Sequence, residues 1–243
     1  MLARRWLDFT RLLENQTKPS DPSGIIDAIV VKSRFVERHR FALLLASLLI
    51  LILASPVFEM RGIGQLPLII LMSLVLMAAV IVNAQRRVAL VVALGLSVTW
   101  VILSGWNLVA FTLARLIAAD LVFMALMGGT LAVVFRRVLA AERVDADVVC
   151  GGVAVYLMIG VIWAVSYVVM EASAPGSFAS LQTDNTKGWN QFLYFSLTTL
   201  TTLGYGDIHP ATPVAGVWST LEAVTGVLYL AVFVARLVSL YRR

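Results

Sequence analysis

The stretch LTTLGYGDIHP, Leu200–Pro210, holds two threonines, two glycines and an aspartate between long apolar runs. In the 243-residue chain, 60% of residues are hydrophobic and only 14% are charged, and the mean hydropathy is +0.91. Such a composition exceeds what a water-facing surface tolerates, so the solvent is a lipid bilayer. Irregular backbone at membrane depth is tolerated only where it is buried in protein or lines a watery cavity. The stretch is therefore predicted to line a polar path.

Six apolar segments are long enough to cross a bilayer core of about 30 Å at about 1.5 Å per residue. They are Phe41–Phe58, Leu66–Val82, Val88–Trp106, Leu108–Phe135, Val148–Met170 and Val214–Ala235. A seventh segment, Trp189–Leu200, would reach only about 18 Å as a helix, so it is predicted to enter the membrane and turn back. The predicted fold is an all-α membrane protein with six transmembrane helices and one re-entrant pore helix.

The basic residues predict the orientation, because Lys and Arg accumulate in short cytoplasmic loops. With the N-terminus inside, only Arg61 and Lys187 of the nineteen basic residues lie outside, and Arg115 lies within a span. The chain is thus expected to cross the plasma or inner membrane of a cell several times, with both termini cytoplasmic. The net charge of +5 is interpreted as topology and attraction to anionic lipid, and not as nucleic-acid binding.

Four regions are predicted along the chain. Residues 1–40 form a polar, basic cytoplasmic leader, and residues 41–135 form a four-helix transmembrane domain. A charged cytoplasmic linker, 136–147, leads into a pore domain, 148–243, which holds an outer helix, the pore helix, the polar stretch and an inner helix.

The polar stretch has glycine at alternate positions, Gly204 and Gly206. For the carbonyl groups of an extended chain to face one side, alternate residues need φ values that glycine adopts without a Cβ penalty. Here the sequence closely resembles the potassium-channel family, whose filter signature is TVGYG followed by Asp. The matching residues are Thr202, Leu203, Gly204, Tyr205, Gly206 and Asp207. Leu203 replaces the signature Val, and it is expected to contribute only its carbonyl.

The resemblance implies that filter carbonyls, with the Thr202 hydroxyl, coordinate K⁺ in single file, and that potassium is the permeant ion without any further cofactor. The implied coordinating residues are Thr202, Leu203, Gly204 and Tyr205. Tyr205 would brace the filter near Tyr194 and Phe195, and Tyr194 would bond to Asp207, while Thr198 lies behind the filter. Since one chain supplies one filter strand, the family resemblance implies a fourfold-symmetric homotetramer.

Two residues of the last span carry alternative interpretations. Gly226 matches the family's spacing for a hinge at the inner gate, or it permits close helix packing. Glu222 is either buried behind the filter as a support or exposed in a cavity-facing ring that attracts cations. In the fourth span, Arg115 and Asp120 are intramembrane charges that we expect to be structural, because one arginine is too few for a strong voltage sensor.

The sequence therefore predicts passive, selective potassium conduction. The fourth helix is not expected to confer strong voltage gating. A weakly selective monovalent cation channel is the alternative, through Leu203 or Thr198. A transporter would carry four degenerate pore loops in one chain, whereas this chain has one. No nucleophile, base and orienting group form a convincing set, so an enzyme is not expected.

Overall fold

The structure, a computed structural model, describes residues 39–61, 65–85, 87–143, 145–181 and 188–241. The predicted leader, 1–40, lies outside the described residues except for its last two positions. The rest of the described chain is almost entirely helical.

Seven helices occur within the described residues. They are α1 (Arg40–Met60), α2 (Leu66–Asn83), α3 (Arg87–Val109), α4 (Leu113–Ala140), α5 (Ala146–Ser173), α6 (Gly188–Leu200) and α7 (Pro213–Tyr241). All except α6 are long and apolar enough to cross a membrane. The prediction of an all-α, multi-pass membrane protein with six membrane-spanning helices is confirmed.

The first four helices pack as successive neighbours, α1 on α2, α2 on α3 and α3 on α4, because the connections between them are short. The α1 core residues Leu44, Leu48 and Leu51 are buried at helical spacing. Between α2 and α4, the Asn83 side-chain amide donates a 2.9 Å hydrogen bond to the Thr130 hydroxyl. This bundle is joined to the rest of the chain by α5, which contacts both α1 and α4.

Two predicted boundaries differ from the structure. The fourth helix begins at Leu113 and not at Leu108, because α3 continues to Val109 and Thr112 then has an extended backbone. The predicted linker, 136–147, is shorter than expected. The good helix formers after Phe135 prolong α4 to Ala140, and the Asp145 side chain caps α5 by accepting a 2.8 Å hydrogen bond from the Val148 amide.

A two-stranded sheet connects the two segments that flank α6 and the filter. The two-residue strands β1 (Phe178–Ala179) and β2 (His209–Pro210) pair antiparallel, so the loop before α6 is tied to the segment after the filter. Beyond this pair, the Ala211 amide donates to the Ser177 carbonyl at 2.8 Å. The short helix α6 packs between α5 and α7.

Candidate ion-conducting site

The pore helix α6 is fixed by an aromatic cluster on its outer half. Phe192 and Phe195 are buried against Phe178 of β1, with ring centroids 5.4 Å apart in each case. Tyr167 of α5 meets Phe195 edge-on at 5.1 Å. Such edge-to-face contacts are favourable beyond the area they bury, so the cluster gives α6 a defined position.

Phe195 therefore differs from its predicted role. Sequence reasoning expected it beside Tyr205, whereas its ring lies in the cluster with Tyr167 and Phe178. The reason is helical geometry: Phe195 is next to Tyr194 in the chain, and adjacent helical positions point about 100° apart. Tyr194 alone of the two stacks on Tyr205.

The filter backbone alternates in the sign of φ. Thr202, Gly204 and Gly206 have φ of 58°, 53° and 81°, whereas Leu203 and Tyr205 between them have no positive φ. This alternation turns successive peptide groups to the same side, which is the arrangement that a ladder of carbonyls requires. From the sequence, a positive φ is predicted for the two glycines but not for Thr202. Thr202 lies two positions before Gly204, so the same alternation includes it.

The inner end of the filter is held by the end of the pore helix. The amides of Leu203 and Gly204 both donate to the Thr198 carbonyl, at 2.9 and 3.1 Å, and the Thr202 amide donates to the Thr199 carbonyl at 2.9 Å. Thr198 thus supports the filter through its backbone, since its hydroxyl donates to the Phe195 carbonyl at 3.0 Å. Carbonyls that a helix end leaves unpaired are here satisfied by the filter.

The Thr202 hydroxyl donates to the Thr201 carbonyl at 2.7 Å. Because this bond uses the single hydroxyl proton, the oxygen keeps its lone pairs for a cation. The side chain is exposed in the single chain, as are those of Leu203 and Tyr205.

The outer end of the filter is held by Tyr194. Its hydroxyl donates a 2.8 Å hydrogen bond to Oδ2 of Asp207, and its ring is stacked on that of Tyr205, with centroids 6.3 Å apart and planes 4° apart. The hydrogen bond from Tyr194 lowers the pKa of the Asp207 carboxyl below its ordinary value of 3.8.

Glu222 of the inner helix α7 is completely buried. Its two carboxyl oxygens each lie 2.5 Å from a hydroxyl, that of Ser196 on α6 and that of Tyr167 on α5. The Ser196 hydroxyl also lies 2.7 Å from the Gly160 carbonyl. One carboxyl group therefore connects the outer, pore and inner helices from behind the filter, and it forms no exposed ring. Sequence reasoning missed Tyr167 and Ser196, because nothing in their spacing pairs them with Glu222.

Gly226 lies where α7 crosses the end of the pore helix. A Cβ at this position would overlap the Leu200 carbonyl oxygen and stand 3.1 Å from its carbonyl carbon. The Tyr156 hydroxyl of α5 donates to the same Leu200 carbonyl at 3.2 Å. The close-packing interpretation accounts for glycine here without any bend in the helix.

The intramembrane charges Arg115 and Asp120 do not pair with each other. Arg115 donates from Nε to the Thr112 hydroxyl at 2.9 Å, and its guanidinium lies 5.7 Å from the centroid of the Trp106 ring. Oδ2 of Asp120 is buried and has no hydrogen-bond partner among the described residues. The two residues lie five positions apart on α4, about 140° around its axis.

Comparisons with known proteins bear on the segment that contains this site. Residues 153–243 match the family model described as "Ion channel". Over 81 residues the chain is 36% identical to the inward rectifier potassium channel Kirbac3.1 of Paramagnetospirillum magnetotacticum, an alignment that covers 32% of the chain. The chain spans 24% of that relative's length. No solved structure matches the chain significantly.

The matched segment begins in α5 and includes the pore helix, the filter stretch and the inner helix. It therefore covers every residue of the candidate site that contacts the filter. Through this segment the chain is similar to ion channels, among them one bacterial potassium channel.

Proposed function

We propose that four copies of the chain assemble around one axis and conduct K⁺ selectively down its electrochemical gradient. The observation that carries this proposal is the alternating φ of Thr202, Gly204 and Gly206. Carbonyls aligned in this way replace the hydration shell of a K⁺ ion. The ligands would be the carbonyls of Thr202, Leu203, Gly204 and Tyr205, with the Thr202 hydroxyl, and the ion is the transported species.

The exposure of the filter in a single chain supports the tetramer. Tyr205 is 69% exposed and Leu203 56% exposed, and the inner helix α7 presents many apolar side chains outward. Irregular backbone cannot face lipid, because no water is there to satisfy its polar groups. A closed ring of identical chains covers the filter and encloses a watery path, and cyclic symmetry is the common solution for one repeated surface.

The pore helices add a favourable electrostatic term. Each α6 ends at Leu200, directly before the filter, so four such ends would direct partial negative charge toward the cavity below. A cation that has shed part of its water is stabilised there. The buried Glu222 does not take part, since both its oxygens are engaged by Tyr167 and Ser196.

We further propose that the fourth helix confers no steep voltage dependence. Steep gating needs three or four charges per subunit, and Arg115 is engaged with Thr112 and the Trp106 ring.

The proposed orientation, with both termini cytoplasmic in a plasma or inner membrane, follows from the distribution of Lys and Arg. Labelling of Arg61→Cys and Arg143→Cys in a Cys150→Ala background with an impermeant reagent tests it, and only the first should react from outside.

The reversal potential in planar bilayers tests the function, with K⁺ on one side and Na⁺ on the other. We expect the current to reverse near the K⁺ equilibrium potential. We also expect the conductance to depend little on voltage. Current that reverses near zero would instead establish the weakly selective channel and direct attention to Leu203 and Thr198. Mass measurement of the purified protein in detergent tests the assembly separately, and a mass other than four chains contradicts the tetramer.

A further inference from the structure

A cavity of about 320 Å³ lies away from the filter, between the four-helix bundle and the start of the pore helix. Its wall includes Gln65 at the start of α2, Asn107 near the end of α3, Asp120 on α4 and Trp189 in the first turn of α6. The volume is in the range of small-molecule sites, which begin at about 300 Å³. The filter and its supporting residues take no part in it.

Three buried, unpartnered polar atoms belong to residues that line the cavity. They are Oδ1 of Asn107, Oδ2 of Asp120 and Nε1 of Trp189, and none has a hydrogen-bond partner in the part of the chain that the structure describes. A buried polar atom without a hydrogen-bond partner destabilises the fold, and an ionised carboxyl oxygen does so more strongly. Native proteins rarely leave several such atoms together, so their convergence on one cavity indicates an occupant with polar groups.

Among the described residues, no basic side chain is hydrogen-bonded to Asp120. Arg115, the basic residue on the same helix, donates from Nε to the Thr112 hydroxyl and lies against the Trp106 ring, while its Nη1 is buried without a partner. Two of the three unpartnered atoms are acceptors, which calls for a donor such as an ammonium group. Around them the wall is aromatic and apolar, with Trp100, Phe111 and Trp189. Aromatic faces attract ammonium groups and also cover an apolar body.

We propose that this cavity binds a protonated amine that carries an apolar body, with Asp120 and Asn107 accepting from the ammonium group. Such an amine comes either from a free amphipathic molecule or from the ammonium headgroup of a membrane lipid. The two sources share one chemistry at Asp120, and lipid composition distinguishes them.

Equilibrium dialysis of radiolabelled phenethylamine against the purified full chain in detergent tests the site, with protein-free micelles as the blank. Phenethyl alcohol has the same shape without the charge. We expect Asp120→Asn to weaken amine binding at least tenfold while alcohol binding stays unchanged. Ser104→Leu, which fills the cavity from its wall, should weaken both. The exposed Glu142→Gln is the matched control and should change neither.

Amine binding that is equal in wild type and Asp120→Asn overturns the proposal, since the amine then binds elsewhere, for example in the conducting pore. Equal binding of amine and alcohol to wild type overturns it as well. Nanodiscs separate the two sources: phosphatidylethanolamine should suppress phenethylamine binding relative to phosphatidylglycerol if the occupant is a lipid headgroup, and the two lipids should be equivalent if it is a free amine. The dialysis needs no conduction, so its result is independent of the channel proposal.

Discussion

The Cα of Gly226 in the inner helix lies directly against the carbonyl group of Leu200, the last residue of the pore helix. The contact places the middle of α7 beside the point where the filter begins. The inner helix therefore contacts the backbone at the inner end of the filter directly, without any intermediate side chain.

Gly226→Ala should destabilise the protein, because the added Cβ meets backbone that cannot move aside cheaply. We expect a loss of about 1–3 kcal/mol, measured by chemical or thermal unfolding. Gly216→Ala in the same helix is the control, since a Cβ there meets nothing within 4 Å and should be neutral or slightly stabilising. Equal stability of the two variants, with only Gly226→Ala altering channel opening, would show a hinge instead of a packing contact.

The network around Glu222 makes a second prediction, because its protons can be counted. Tyr167 has one proton to donate, and Ser196 has one proton but two acceptors within reach, Glu222 and the Gly160 carbonyl. All four groups are satisfied if Glu222 carries a proton that it donates to Ser196. Glu222→Gln should therefore preserve stability within about 1 kcal/mol, whereas Glu222→Leu should lose about 1–3 kcal/mol, because the buried Tyr167 hydroxyl loses its acceptor while Ser196 keeps the Gly160 carbonyl.

Unfolding measurements on both variants, with K⁺ over Na⁺ selectivity measured in bilayers, check this prediction. The network supports the pore helix, so Glu222→Leu should also reduce selectivity. If Glu222→Gln is as unstable as Glu222→Leu, the native side chain is an ionised carboxylate and the proton count is wrong.

The parts of the structure that sequence reasoning reached are those that depend on local pattern. Hydropathy over about 20 residues gave the six membrane-spanning helices, and the shortness of the seventh segment predicted the pore helix α6. The spacing of two between Gly204 and Gly206 predicted that both adopt a positive φ. Each of these features is set by neighbours along the chain.

What sequence reasoning did not reach depends on contacts between distant segments. Glu222 and Tyr167 are 55 positions apart, and no periodicity relates them. The alternatives at Gly226 could be weighed only once Leu200 was seen against it. The unpartnered oxygen of Asp120 likewise became visible only with the cavity that surrounds it.

The hydrogen bond between Tyr194 and Asp207 predicts how the pKa of the Asp207 carboxyl responds to substitution of Tyr194. Since it lowers the folded-state pKa of Asp207, the bond stabilises the outer filter above the carboxyl's ordinary value of 3.8 and is lost as the pH falls through the lowered value. Tyr194→Phe should raise the Asp207 pKa toward 3.8. A carbon NMR titration of labelled aspartate measures this shift, and Tyr205→Phe, which keeps the Tyr194 hydroxyl, is the control. An unchanged Asp207 pKa in Tyr194→Phe would contradict the assignment.

The backbone conformation of the filter predicts which substitutions change ion selectivity. Leu203→Val should leave K⁺ selectivity unchanged, because the position is expected to contribute only its carbonyl. Gly204→Ala should abolish selective conduction, since φ of 53° costs a residue with a Cβ about 1–2 kcal/mol, and the filter relaxes by turning its carbonyls away. Gly176→Ala places the same kind of strain, at φ of 87°, in the outer loop and should conduct normally. Selectivity that survives in Gly204→Ala would show that the alternating backbone is not what selects the ion.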